Sequence, residues 1–267
     1  AREANPRAVL TIVSSYPYVL DGVDADTVAW SSHGGQELGH GVIDVLSGDV
    51  EPSGRLSQSW PATEAQAGDL FDYDTLRQGA TYRHQPDEPT FAFGHGLTYT
   101  TVAYESVTLT VPTAPPLAAG ASSGASGRVG PAAVPAPAAT HRHAGFAPRE
   151  DEAVVNAVVR VRNTGDRDAE ELVQLYALSS GLPLPTPRRL LVAYRRVRLA
   201  PGEVRDVELT FSPARLAVWD DAVRLPGAVD DWLHEGALRV QPGTYTVAAG
   251  PSAWDLPVRA ELEVTAG

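Results

Sequence analysis

The hydrophobic rhythm of the chain changes twice along its length. Near the start, Ala8 to Ser14 (AVLTIVS) is an unbroken apolar run of strand length and Thr27 to Ser31 is a shorter one, a pattern that suits strands covered on both faces. Between Gly35 and Gly48 the apolar residues Leu38, Val42, Val45 and Leu46 recur at helical spacing, which predicts a helix with one face on a sheet. Glu37 near its start suits the positive end of the helix dipole, and Gly48 is placed as its C-terminal cap. Gly35 and Gly39, four apart, would let helix and sheet backbones approach closely. Asp49 to Gly54 then cannot extend the helix, because Pro52 lacks an amide donor and Ser53-Gly54 favours a reversal.

From Asp151 onward the rhythm becomes alternation. Ala153 to Val161, Glu171 to Leu178, Leu190 to Leu199, Val204 to Phe211 and Val258 to Val264 read as short strands, and Val240, Tyr245 and Val247 supply further strand positions. Asn163-Thr164-Gly165-Asp166 is a turn signal, and Pro201-Gly202 and Pro242-Gly243 place proline before glycine as a type II turn prefers. Ser212-Pro213 looks like a short helical start, with Ser212 as cap and Pro213 at the first helical position. About seven strands at this spacing argue for an antiparallel sandwich of immunoglobulin type. Between the two regimes, residues 111–150 are dominated by Ala, Pro, Gly and Ser. Such a segment cannot bury enough apolar area to offset its ordering entropy and is expected to be an extended or mobile linker. The expected organisation is therefore an α/β piece over 1–110 (a partial open, mostly parallel sheet with a flanking helix), a linker over 111–150, and an all-β immunoglobulin or fibronectin III-like sandwich over 151–267.

Composition narrows the functions available. A length of 267 residues suggests about two domains, and 43% hydrophobic with 20% charged residues reads as globular and soluble. No apolar run approaches the roughly 20 residues a membrane helix needs. The start shows no signal-peptide pattern, which leaves the address open with the cytoplasm favoured. The net charge of -12 argues against a nucleic-acid partner. All 21 basic residues are arginine, and the group Arg188, Arg189, Arg195, Arg196 and Arg198 reads as a solvated strand face. The absence of cysteine removes disulfides, thiol catalysis and cysteine-ligated zinc together. Methionine is absent too, and too few elements precede Trp60 to cover an open parallel sheet on both faces, so a truncated or split gene product is expected.

Trp30 to Pro61, WSSHGGQELGHGVIDVLSGDVEPSGRLSQSWP, resembles the end of the second domain of glycoside hydrolase family 3, the β-glucosidase-like enzymes. Tyr82-Arg83-His84 resembles that family's GYRY element, and Phe91 to Tyr104 (FAFGHGLTYTTVAY) resembles its PFGxGLSYTxF signature. Further on, VRNTGDRDAEELVQLYAL, RRLLVAYRRVRLAPGEVRDVELTF, LAVWD and VQPGTYTVAAGPSAWDL look like the fibronectin type III-like domain that ends many members. The matches run in order and cover nearly everything except the linker. Leu56 to Pro61 departs from the usual RLPxTFP ending, and Ala80-Thr81 stands before Tyr82 where glycine is usual.

The resemblance implies retaining, exo-acting hydrolysis of O-glycosidic bonds, with one carboxylate as nucleophile and a second as acid then base, roughly 5 Å apart. In such enzymes the nucleophilic aspartate sits in an N-terminal barrel, and the acid/base glutamate lies upstream of the strand matched here by Ala8 to Ser14. No catalytic residue is therefore assigned in this chain, no substrate-binding residue is fixed, and the chain alone is expected to be inactive. The implied partners are a carbohydrate reached through the catalytic barrel and the catalytic domain itself; no cofactor is implied.

Other constellations have plainer readings. Asp21, Asp24 and Asp26, like Asp69, Asp72 and Asp74, miss the EF-hand spacing and read as solvated loops. His33, Glu37 and His40 do not form H-E-x-x-H and read as turn residues, while His141 and His143 are incidental to the linker, so no metal site is assigned. Trp219, Trp232 and Trp254 read as sandwich packing; the competing reading is a sugar-stacking platform on a non-catalytic carbohydrate-binding module or on a scaffold for a separately encoded catalytic chain. Asp44, the one charge on the predicted apolar helix face, is expected to pair with Arg55. Gln36 and Glu37 stand at the strand-to-helix corner where open α/β sheets gather ligand contacts.

Overall fold

The computed structural model describes residues 3–111, 132–137, 153–224 and 235–266. His141, His143, Trp232 and most of the expected linker lie outside the described residues.

The two early apolar runs lie side by side. β1 (Leu10–Val13) and β2 (Val28–Ser31) pair in parallel, Leu10 opposite Val28 and Val13 opposite Ser31. A 3-10 turn at Gly35–Glu37 leads into α1 (Leu38–Ser47), closed by Gly48 at φ +87, whose amide donates to the Val45 carbonyl. The left-handed conformation explains why glycine stands there. The helix occupies its predicted span but packs shallowly: none of its residues is buried, and Ile43 and Leu46 are 61% and 42% exposed. Gly35 and Gly39 face open space, so the expected close approach of backbones does not occur there. Nor is β1 covered on both faces within the described residues, since Val9 and Val13 are 39% and 43% exposed. Within 3–101 the parallel sheet consists of this one strand pair.

The passage after Trp60 carries two single-turn helices, α2 (Glu64–Ala67) and α3 (Thr81–His84). Its ends are tied by the Trp60–Phe91 bridge. Trp60 is 2% exposed and meets Tyr18, Trp30 and Phe91 edge-on at centroid distances of 6.3, 6.3 and 6.1 Å. This aromatic knot is the local core of the front unit. Among the described residues no helix is long and apolar enough to cross a membrane.

The second unit is a sandwich of two sheets. A three-stranded sheet orders β3 (Val102–Thr110), β5 (Val155–Asn163) and β8 (Val204–Phe211), all antiparallel. A five-stranded sheet orders β4 (Ala132–Pro135), β12 (Val258–Thr265), β11 (Gly243–Gly250), β6 (Ala169–Leu178) and β7 (Leu190–Leu199). β9 (Val218–Arg224) and β10 (Glu235–Arg239) form a separate antiparallel pair. The core follows strand alternation: Val155, Ala157, Val159 and Val161 of β5 face Val173, Leu175 and Val247 of the other sheet, all fully buried. Ser212 caps the predicted helical start, its hydroxyl accepting from the Ala214 amide at 3.2 Å.

Three expectations are corrected here. β3, counted with the front unit, is a sandwich strand, because its backbone pairs with β5 from Val102 opposite Asn163 to Thr110 opposite Asn156. The linker contains β4, which pairs in parallel with β12 and places Val134, 1% exposed, in the core. Bulk composition hid it, since four residues of Ala, Val and Pro do not stand out in an Ala/Pro-rich stretch. Finally, Gly202 at φ +73, with the Glu203 amide donating to the Ala200 carbonyl, makes the expected type II turn, but Gly243 at φ +143 opens β11 instead.

Candidate functional site

The residues that carry most of the polar chemistry meet where the front unit lies on the outer face of the five-stranded sheet. β6 is buried on both sides over Val173–Ala177. One face belongs to the sandwich core; the other presents Tyr176, which with Leu191, Ala248, Ala253 and Leu256 forms a second apolar cluster that Tyr82 and Phe93 cover. Tyr82 stacks on Phe93 at 4.1 Å, meets Tyr176 edge-on at 6.3 Å, and its hydroxyl accepts from the Leu191 amide at 3.3 Å.

Beside this cluster runs a chain of buried polar contacts. Arg55, in the turn after α1, donates from Nη2 to Glu171 Oε2 at 2.7 Å, with both side chains only 4% exposed. The other carboxylate oxygen accepts from the Tyr104 hydroxyl at 2.8 Å. Burial, and then the Glu171 charge, push the Tyr104 phenol well above its ordinary value, so it remains a donor. Gln174 donates from Nε2 to the carbonyls of Gly94 at 3.1 Å and Pro251 at 2.6 Å, while its Oε1 accepts from the Tyr176 hydroxyl at 2.7 Å. Arg189 lies over the Trp254 ring at 3.6 Å and donates to the Gln85 carbonyl at 3.2 Å. The Arg55–Glu171, Gln174–Gly94 and Arg189–Gln85 contacts hold the two units together, and the others brace the sandwich itself.

The sequence candidates scatter. Asp44 is exposed, and Arg55 pairs with Glu171 rather than with it, because the turn at 49–54 carries the arginine across to the sandwich. Glu37 and His40 share a 2.6 Å contact on an exposed helix turn, with His33 exposed and Gln36 beside them. Asp69, Asp72 and Asp74 each accept an amide a few residues on, from Phe71, Asp74 and Arg77, so their carboxylates organise the loop. Asp21, Asp24 and Asp26 lie exposed in the connection between β1 and β2. Trp219 is 48% exposed on β9 with its indole donating to Asp221 at 2.6 Å, and Trp254 has a face covered by Arg189; they do not share one flat platform. Among the described residues no three His, Asp or Glu gather where a metal ion would sit. The arginine group divides: Arg196 and Arg198 pair with Glu170 on the strand face, whereas the Arg188 and Arg189 amides donate to the Arg83 carbonyl at the junction. Tyr104, Glu171 and Gln174 are not singled out by the sequence analysis. For Glu171 and Gln174 the signal is their polarity inside the otherwise apolar run ELVQLYAL; Tyr104 carries no such signal.

The architecture is thus an α/β unit, with its helix and turn, seated on an antiparallel sandwich of fibronectin type. Residues 1–99 match the glycosyl hydrolase family 3 C-terminal domain, and residues 171–253 match the fibronectin type III-like domain. The chain belongs to glycoside hydrolase family 3, of which it carries the end of the α/β sandwich domain and the fibronectin type III-like domain. Probable beta-glucosidase H of Emericella nidulans is 30% identical over 90% of this chain and 25% of its own length. A beta-glucosidase of Rhizobium radiobacter is 28% identical over 98% of this chain and 28% of its own. The chain thus spans about a quarter of the curated relatives it matches. Among solved structures, the beta-glucosidase DesR of Streptomyces venezuelae, in complex with D-glucose, superposes with a TM-score of 0.56 at 26% identity over 84% of this chain and 24% of its own. The beta-D-glucoside glucohydrolase of Trichoderma reesei shares the fold, with a TM-score of 0.69 at 20% identity over 96% of this chain and 33% of its own.

Proposed function

We propose that this chain acts as the C-terminal part of a retaining, exo-acting β-glucosidase, with the nucleophile and the acid/base contributed by polypeptide outside it, and that alone it does not hydrolyse glycosides. The observation that carries this reading is an asymmetry of the front unit. Its sandwich side is locked by the buried Arg55–Glu171 pair, while β1, α1 and the turn after α1 leave Val13, Ile43, Leu46 and Val50 between 42% and 61% exposed. An apolar face of this kind calls for a covering element. The covering polypeptide extends the parallel β1–β2 pair into a larger open sheet and carries the barrel against which both units brace. The names of the relatives support the activity, and the described lining of the cavity beside α3 includes no Asp or Glu.

The test is an assay of the purified chain on an aryl β-glucoside. No nitrophenol release is expected from the chain alone. Co-expression with the portion of the Rhizobium radiobacter relative that this chain does not match is expected to give a co-purifying, active complex. Hydrolysis by the chain alone would overturn the proposal.

A further inference from the structure

A cavity of about 630 Å³ opens inside the front unit, of a size that suits a small molecule. Pro17 and Val19, just past the carboxyl end of β1, form one side; Ser57 and Ser59 form another; Arg83 and His84 of α3 close it. Open α/β sheets gather their ligands at the carboxyl ends of their strands. The Tyr82–Phe93 stack supplies an apolar wall that does not move freely, since Tyr82 is pinned by Leu191 and packed on Tyr176.

The charge in this wall is of one sign. Among the described lining residues there is no carboxylate, in a chain whose net charge is -12. The charges that bear on His84 are those of Arg83 and Arg188, and the charge that bears on Arg189 is that of Arg188. Burial first, and then these guanidiniums, hold the His84 imidazole below its ordinary value, so near neutral pH it is an uncharged hydrogen-bonding ring. The Arg83 carbonyl accepts the amides of Arg188 at 2.7 Å and Arg189 at 3.4 Å, which fixes its backbone while its side chain stays exposed. Thr81, also in the lining, sits at φ +60, a left-handed conformation that a β-branched residue adopts at a cost. Ser59 Oγ and His84 Nδ1 are buried without a hydrogen-bond partner among the described residues, a deficit that a ligand hydroxyl entering the wall would relieve.

We propose that this cavity binds an anionic monosaccharide, one bearing a carboxylate or a phosphate, with the charged group on Arg83 and the ring hydroxyls toward Ser57, Ser59 and His84. Guanidinium suits both oxyanions because it presents paired donors in a planar fork. Neutral sugars gain the wall and the hydroxyl contacts but not the ion pair. The inference needs only this cavity and stands whether or not the chain works within a glycosidase.

Isothermal titration of the full chain with D-glucuronate and glucose 6-phosphate, against glucose and inorganic phosphate, tests it. The anionic sugars are expected to bind more tightly than glucose by about tenfold or more, the scale of one charge-assisted hydrogen bond. Because Arg83 is exposed, Arg83→Ala should leave the melting temperature and the glucose affinity unchanged while removing the preference for the anion; Arg188→Ala, which withdraws a neighbouring charge, should reduce it partly. Binding of glucose as tight as that of the anionic sugars, binding of phosphate as tight as that of glucose 6-phosphate, a preference untouched by Arg83→Ala, or no binding at all would each overturn the proposal.

Discussion

Arg55 and Glu171 stand 116 positions apart in the chain, yet their side chains meet at 2.7 Å with 4% of each exposed. Taking two charges out of water costs several kcal/mol per ion, and their attraction recovers this only where the remaining lone pairs and protons are also satisfied. Here Tyr104 completes the carboxylate, and the Gly54 carbonyl accepts from Arg55 Nη1 at 3.0 Å, while Arg55 Nε is left without a partner among the described residues. The pair therefore acts as a registration device. It admits one seating of the turn at 49–54 on the sandwich and penalises others.

Breaking one partner leaves the other buried and unpaired. Glu171→Ala or Arg55→Ala is expected to lower stability by about 3 to 5 kcal/mol. The double replacement Arg55→Met with Glu171→Leu should recover most of the loss, because no charge is then stranded. Urea unfolding followed by tryptophan fluorescence reads this, since Trp60 and Trp30 report on the front unit. Additive losses in the double variant would refute a coupled pair.

Gly94 is the second point where the units cannot be separated. Its φ is +82, its carbonyl accepts from Gln174, and a Cβ built there would overlap the Gln174 carboxamide. Gly94→Ala combines a strained backbone with the loss of a buried hydrogen bond, and a cost of about 2 to 4 kcal/mol is expected. Limited proteolysis should then release the front unit at protease levels that leave the parent chain intact; equal resistance would show that the junction does not depend on this contact.

Elements with a strong local period were readable from the residues alone. β7 and β8 run over the predicted spans, and α1 ends at the glycine chosen to cap it. What escaped was set by distant partners. The alternation of β6 predicts an ordinary strand, yet Leu175 and Tyr176 point to opposite faces and are both fully buried, because Tyr82 and Phe93 arrive from more than 80 positions away. The destination of Arg55 differs from the expected Asp44 for a related reason. Asp44 is near in sequence, and no local pattern announces that Glu171 lies across a turn and two sheets. The family is legible because its motifs recur in order; the cavity is not, since its walls come from separate segments between Pro17 and Phe93 whose residues are individually ordinary.

β4 offers a direct test of the sandwich edge. Val134 is 1% exposed, Leu262 lies opposite Ala132 and Val264 opposite Val134, and the Ala136 amide donates to the Thr265 carbonyl at 2.9 Å. Val134→Asp buries an unpaired carboxylate and is expected to destabilise the sandwich by about 2 to 4 kcal/mol. In hydrogen exchange, the Ala136 amide should be protected in the parent chain and exchange freely in the variant. Free exchange in both would mean that the segment does not hold its place beside β12.

Acid should weaken the fold before the carboxylate range is reached, through imidazoles. His95 stacks on Phe91 at 5.2 Å, and burial, then the Arg55 charge, hold its pKa below the ordinary value, with Asp255 opposing; His84 is shifted the same way by burial and by Arg83 and Arg188. A base whose pKa is depressed in the folded state binds fewer protons there than in the unfolded chain. Its contribution is thus fully present above about pH 6.5 and is lost as pH falls through the lowered folded value. The melting temperature should therefore drop between about pH 7.5 and about pH 5.5. His95→Phe keeps an aromatic ring against Phe91 without a titrating group, so its drop should be smaller, though not abolished, because His84 remains. An identical drop in parent and variant would remove His95 from the account and leave the acid sensitivity to groups elsewhere in the fold.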